Sequence, residues 1–449
     1  MRGKALISEA AQRRGTLQLG ALDASPATPE WVRELRSSAR TRFHEHGFPT
    51  RRDEDWKYTD LAPITGRSEL GPGGRPDGRP FEAAINVRLE TLAPSGPRLV
   101  FVNGEFAADL SVAIDLPSGT RIGALSQDGI DPWSLTEGQL GTLAPIDRKA
   151  FVALNTSQFT DVAILRFARN AALTSPFHLV FVSAGAVASY PRVLLILEEG
   201  AEATVLETYL AVGGSPFTNA VTEVSLAAGA ALQHCTFAVG GGDSAAIGAT
   251  HVALGRDARY RSLQVLSGSA INRRDLDVAF HGEGGECSLD GAYIASGSQK
   301  VESHTFVDHA VPRCSSHEFY KGVVADQAAA VFSGRVLVRP GAQKTDAAQT
   351  NKNLLLSGSA TVDTKPHLEI LADDVKCSHG AAVGPPDDET LFYLLSRGLG
   401  RAAATALLAY GFAAEVLADT PLSIRGMAER LIGDEVSVAT GATVSFRDE

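Results

Sequence analysis

The chain has 449 residues, 44% hydrophobic and 21% charged, enough to bury a large core divided over two or three units. Its 41 Lys and Arg stand against 52 Asp and Glu, a net charge of -11; that field repels phosphate backbones and anionic lipid headgroups and excludes nucleic acid and membrane surfaces as expected partners. Four cysteines, Cys235, Cys287, Cys314 and Cys377, form no C-x-x-C pair, which excludes a zinc ribbon or a ferredoxin-type run and leaves any metal held through few ligands or shared with another chain.

The opening MRGKALISEAAQRRG has no apolar h-region or small-residue cleavage site and does not read as a secretory signal. The longest uncharged apolar run, Ala402 to Ala414, is shorter than the ~20 residues of a membrane span, so the expected location is the cytoplasm. Residues 28–47 predict a helix, with Thr28 able to cap, Pro29 at the first helical position, Gly47 past the end, and an apolar stripe of Trp31, Leu35, Ala39 and Phe43. The charged and aromatic RRDEDWKYTDL follows, and then GPGGRPDGRP (71–80), whose Gly and Pro content marks a linker. We therefore assign 1–80 to an N-terminal helical domain and linker, and 81–149 to a connecting region leading into the core.

From about 150 to 384 the texture is short Val, Leu, Ile, Thr and Phe-rich runs separated by Gly, Asn, Asp and Ser. A turn residue, a small residue and alternating apolar positions recur in GAEATVLETY from Gly200, GAALQHCTFA from Gly229, DARYRSLQVL from Asp257 and GECSLDGAYI from Gly285, at steps of 29, 28 and 28 residues. Such a period predicts a β-helix or β-solenoid, each rung burying its inward side chains against its neighbours; a large β-sandwich is the competing architecture. Whether one repeat is one coil or two is not decided by the spacing. After Pro385 and Pro386 the pattern turns helical: acidic residues at 387–389 suit a helix start, Gly398 interrupts, Ala402 to Leu417 continues and Pro421 opens a third helix. Residues 385–449 form a small α-helical domain with apolar residues (Leu391, Phe392, Leu394, Leu395, Leu407, Leu408, Tyr410, Phe412) beyond what three short helices need for one another, suited to docking on the solenoid, on a partner, or both.

The segment LEILADDVKCSHGAAVG (368–384) carries a Cys-x-His. On a strand, Cys377 and His379 project to one side and Ser378 to the other, a thiolate and imidazole half-site for iron or zinc; the alternative is a buried small thiol followed by a turn histidine. DHAVPRCSSHEFYKG (308–322) gathers His309, Cys314 and His317, but the last two lie three apart, on opposite faces of a strand, and no oxyanion donor accompanies them. SRGLGRAAATALL lacks the strand and Gly-rich turn of a dinucleotide loop and reads as a helix junction. With no G-x-x-x-x-G-K-[ST], the chain is not itself a P-loop nucleotidase and binds no nucleotide. Gln343, Asn351 and Asn353 in RPGAQKTDAAQTNKNLLLSG are read as hydrogen-bonded ladders at solenoid corners.

YKGVVADQAAAVFSGRVLV, AQKTDAAQTNKNLLLSGSATVDTKPHLEILADDVKCSHGAAVG and LFYLLSRGL closely resemble the SufB/SufD family of iron-sulfur cluster assembly proteins, as do EDWKYTDL and PRVLLILEEGAEATVLETY further upstream. Within that family the chain is similar to the SufD branch: it has Trp56 to Thr59 (W-K-Y-T) and no cysteine before residue 235, whereas SufB chains are typically longer with cysteines near the start. The resemblance implies a mainly β fold, a right-handed parallel β-helix core (150–384) flanked by N-terminal and C-terminal α-helical domains. It implies a non-catalytic scaffold that pairs with a SufB-like sibling through the β-helices and binds a SufC-like ATPase through the C-terminal helical domain. It also implies that a transient iron or iron-sulfur cluster is shared at the sibling interface, with His379 of the C-S-H-G motif as a ligand and Cys377 as either a second ligand or a supporting thiol. The same β edge admits self-pairing when the chain is isolated. A carbohydrate-active β-helix enzyme would need an acid pair on one solenoid face, and no convincing pair is present.

Overall fold

The computed structural model describes residue 19 and residues 28–67, 70–76, 79–92, 96–112, 115–127 and 136–444; the opening segment read for a secretory signal lies outside them. About 41% of the chain is strand and 23% helix, and the strands wind into a parallel β-solenoid of about eight turns. Each coil gives one strand to a front sheet, which ends in Ser315–Val324, Asp346–Leu355 and Lys376–Gly384, and one to a back sheet, which ends in Lys300–His309, Ala329–Val338 and Thr361–Ile370.

The sequence repeat corresponds to one coil, because Glu202, Ala231, Arg259 and Glu286 pair in a single column of the front sheet. Two residues ahead of each, Gly200, Gly229, Asp257 and Gly284 have φ of 67°, 66°, 55° and 76°. The corner between sheets needs a left-handed residue, and Gly or Asp meets that need at little steric cost. Strand pairing begins upstream of residue 150: Arg98–Val102 lies beside Phe177–Ala184 in the front sheet, capped by the antiparallel Glu105–Phe106. In the back sheet, Arg121–Ala124 caps Ala163–Phe167 in the same way.

Side chains pointing into the lumen form the main core, with Phe101, Phe181 and Tyr209 stacked at centroid distances of 5.2 and 5.1 Å in the first coils. Farther along, the lumen turns polar. Asn351 donates to the Tyr293 hydroxyl (2.9 Å) and Asn353 donates to Asn351 Oδ1 (2.7 Å). These two asparagines therefore ladder inside a strand, not at a corner as expected; only Gln343 sits at a corner, accepting the Asp374 amide at 2.8 Å. The reason is the alternation of Asp346–Leu355, which turns positions 347 to 353 inward at every second residue.

Helices cover both outer faces. At the front, Arg401–Ala414 and Leu422–Thr440 press Ala409, Ala413, Met427, Leu431 and Ile432 onto Phe237, Leu263, Val265 and Ala292. Asp387 caps the preceding helix, Asp388–Ser396, by accepting the Thr390 amide at 2.8 Å, and Gly398 (φ 90°) turns the chain into the next one. At the back, Glu30–His46 packs with Ala150–Gln158 through Val32, Phe43, Phe151 and Leu154. Thr28 does not cap that first helix: Pro29, with extended ψ of 153°, is the N-cap residue and no side chain serves. The helix thus starts at Glu30, and Val32, Ala39 and Phe43 are its buried residues.

Trp56 to Thr59 is a clamp on the back sheet. Arg273 lies 3.7 Å from the Trp56 ring centroid and donates to the Asp55 carbonyl (2.6 Å), Thr59 donates to Glu302 (2.7 Å), and Lys300 reaches the Tyr58 carbonyl. Among the described residues no helix is long and apolar enough to cross a membrane.

Candidate functional site

The two ends of the solenoid differ. The first coils are closed by the antiparallel strands, and Leu99 and Phe101 behind them are buried. At the other end, Lys376–Gly384 pairs only with Asp346–Leu355 and Thr361–Ile370 only with Ala329–Val338. Among the described residues each therefore presents an unpaired backbone edge, and no following coil covers the lumen between them. The consequence is visible in burial: Gln349, Asn351 and Asn353 are buried, while the residues one coil later in the same columns, His379, Ala381 and Val383, are exposed.

His379 stands in register with Gln349 and Cys377 with Ala347, both buried lumen residues, while Ser378 pairs with Ala348. The thiol and the imidazole thus lie on the lumen side of the terminal strand, at its mouth. Cys377 is half-buried and packs against the main core. Burial pushes its thiol above the ordinary value, with Asp346 adding to the shift, so it rests as the protonated thiol and would need a cation's charge to act as a thiolate ligand. Among the described residues no three His, Cys, Asp or Glu side chains gather around a common point. The donor set here is one exposed imidazole and one half-buried thiol, donor types that iron and zinc both accept, but too few to close a shell.

The second cluster considered in the sequence does not assemble. His309 is sealed in the lumen, stacked on Phe280 at 4.6 Å and bonded to Ser316 Oγ at 2.9 Å. Cys314 is buried against the carbonyls of Gly282 and Pro312, and His317 is exposed on the outer face. Sequence reasoning missed what lies behind His379: Gln349 donates through Nε2 to Glu318 Oε1 at 3.2 Å, and Thr305 Oγ1 donates to Glu318 Oε2 at 2.6 Å. The column runs Glu318, Gln349, His379 at steps of 31 and 30 residues, longer than the 28 to 29 of the upstream repeat, so the sequence period did not reveal it.

Fold and site together define a helix-flanked parallel β-solenoid, capped at one end and bare at the other, with a Cys-x-His pair at the bare mouth. Residues 180–412 match the SUF system FeS cluster assembly, SufBD core domain, and residues 24–68 match the SufBD protein N-terminal region. The chain belongs to the SufB/SufD family of iron-sulfur cluster assembly proteins and is a homologue of SufD. It is 32% identical over 400 residues to the iron-sulfur cluster assembly protein SufD of Escherichia coli, covering 88% of this chain and 89% of that one. It is 34% identical over 387 residues to a SufBD family protein of Synechocystis, covering 84% of each. A SufBD family protein of Mycobacterium leprae is 34% identical over 394 residues, covering 86% of this chain and 88% of that one.

Proposed function

We propose that this chain is a non-catalytic, cytoplasmic scaffold subunit of a Suf assembly complex, which holds iron or a nascent iron-sulfur cluster through His379 at an interface with a SufB-like sibling. The observation that carries this reading is the placement of an exposed imidazole on a strand whose outer edge has no partner among the described residues. A second chain adding its own strand there would bring its ligands beside His379, by the same backbone pairing that builds the sheet. A neutral imidazole on one subunit and thiolates on another make a shell that opens when the subunits shift, so the cargo can be released as well as built. Cys377, in the same column face and above its ordinary thiol value, supports the shell or joins it once a cation has drawn off its proton.

The SufC-like ATPase has a candidate seat on the C-terminal helices. Phe392 is 71% exposed, Tyr393 54% and Leu407 49%, although the opposite face of the domain is already docked on the front sheet. ATP hydrolysis in that partner would move the helical domain and, through the sheet it covers, the sibling interface. This chain needs no nucleotide site of its own.

His379→Ala in the reconstituted three-component complex should lower bound iron and cluster at least tenfold while the subunits still co-elute; unchanged cluster content removes the ligand role. Phe392→Asp should release the ATPase from a pull-down with no change in the chain's melting temperature, and retention would dismiss the docking assignment.

A further inference from the structure

A ligating histidine works only when one ring nitrogen is a bare lone pair and the other carries the hydrogen, and the group that accepts that hydrogen decides which nitrogen is which. In the described residues His379 has a single neighbour in register on the lumen side, Gln349. Gln349 is 1% exposed, and its Oε1 is buried with no hydrogen-bond partner. An orphaned amide oxygen inside a protein is costly and calls for an explanation.

The direction of that oxygen follows from its surroundings. Glu318, with no exposure, accepts the Gln349 Nε2 hydrogen on one oxygen and the Thr305 hydroxyl on the other. A carboxylate so placed holds the amide nitrogen toward the preceding coil. The oxygen of a planar amide diverges from its nitrogen and makes no bond in this structure; the next residue of its column is His379 on the last coil, whose ring would have to turn inward to reach it. Gly334 on the facing back-sheet strand makes the arrangement fit: a Cβ there would lie 2.0 Å from Gln349 Nε2 and 2.7 Å from its carboxamide carbon. Only a residue without a side chain leaves space for the amide to cross the lumen.

We propose that Gln349 is the positioning residue for His379: its Oε1 accepts the hydrogen of one imidazole nitrogen, turning the other, unprotonated, toward the mouth where the second chain arrives. That this outward nitrogen meets iron rests on the function proposed above; the hydrogen bond itself does not. A neutral acceptor suits the task, because it orients the ring without competing as a ligand. Glu318, one coil deeper, keeps the amide from turning over.

The test is to label the full-length chain with nitrogen-15 histidine, assign His379 by the signal lost in His379→Ala, and read its ring nitrogen shifts at a pH where the imidazole is neutral. Wild type should show one dominant tautomer. Gln349→Met, nearly the same shape without the acceptor, should move the shifts toward the mixture of a free imidazole, and Gln349→Glu, which keeps an acceptor oxygen, should preserve the single tautomer. A free-imidazole mixture in wild type overturns the proposal without recourse to any variant, as does a ratio untouched by Gln349→Met. In the reconstituted complex, Gln349→Met should bind iron ten- to a hundredfold more weakly. If His379→Ala leaves iron content unchanged while the tautomer still responds to Gln349, the ligand assignment fails and the positioning contact stands; the reverse pattern refutes the contact alone.

Discussion

Glu318 is an acid sealed in the lumen, and burial pushes its carboxyl from the ordinary value of 4.5 up to about 7, against the hydrogen bonds from Thr305 and Gln349 that lower it. A raised folded value means the native state holds the proton more tightly than the unfolded chain. The associated stability is complete below pH 4.5 and is lost as pH rises through 7. Glu318→Gln removes this dependence, and the Gln349 amide can turn over to keep a bond with it. The variant should therefore be more stable than wild type by about 3 kcal/mol at pH 8 and by less than about 1 kcal/mol at pH 5, measured by urea unfolding at both; a gain independent of pH would refute the assignment. The buried cluster around Glu207, four coils earlier, behaves oppositely. Although burial alone raises Glu207, His234, Tyr209 and Thr222 surround it and its carboxyl ends below the ordinary value, so it is a paired anion. At this scale the Cys-x-His was legible because a period of two needs only three residues. Glu318 and Gln349 were not, because they become neighbours of His379 only through the coil register, and the number of residues per coil varies enough to hide it.

The corners are where coils are specified. Gly229 has φ of 66° with open space where a Cβ would stand, so Gly229→Ala isolates the backbone term and should cost about 1 kcal/mol, the left-handed penalty less the entropy gained in the unfolded chain. Gly358, equally open but not in that conformation, should gain about 0.5 kcal/mol on the same change; equal melting shifts for the two would contradict the corner argument. The same corner is occupied by Arg313 (φ 59°) and Lys344 (φ 63°) in the last coils. This is why the repeat was visible from Gly200 to Gly285 and then faded: the geometry persists, but the residue types that announce it do not. Helix ends divided along similar lines. Asp387 was readable because its side chain does the capping, whereas the first helix starts where Pro29 leaves the extended region and Thr28 bonds to nothing in the helix. The W-K-Y-T stretch offered only a resemblance in sequence, since its partners Arg273, Lys300 and Glu302 lie more than 200 residues away. No local pattern encodes such a clamp.

At the scale of the whole molecule the decisive property is asymmetry. A solenoid with a hydrophobic lumen must be stopped at both ends, and this one is stopped by its own antiparallel strands at the start but by nothing among the described residues at the finish. The bare end also carries exposed apolar side chains, Ile370 at 41% and Val383 at 43% on its two edge strands and Leu371 at 53% just beyond; Pro366 interrupts the donor row of Thr361–Ile370, so Lys376–Gly384, which has no proline, is the edge better suited to strand addition. Placing a charge in this seam should block strand addition without touching the interior. Ile370→Lys combined with Val383→Lys is thus expected to keep the wild-type melting temperature within a few degrees, because both positions already face water. It should prevent co-elution with the SufB-like sibling and reduce any dimer of the isolated chain to monomer in light scattering. His379 is preserved in this variant, so cluster loss that accompanies dissociation would trace to geometry, with the ligand still present. Co-elution that survives both lysines would show that the sibling docks elsewhere, and the exposed imidazole would then lose the neighbour that gives it a purpose.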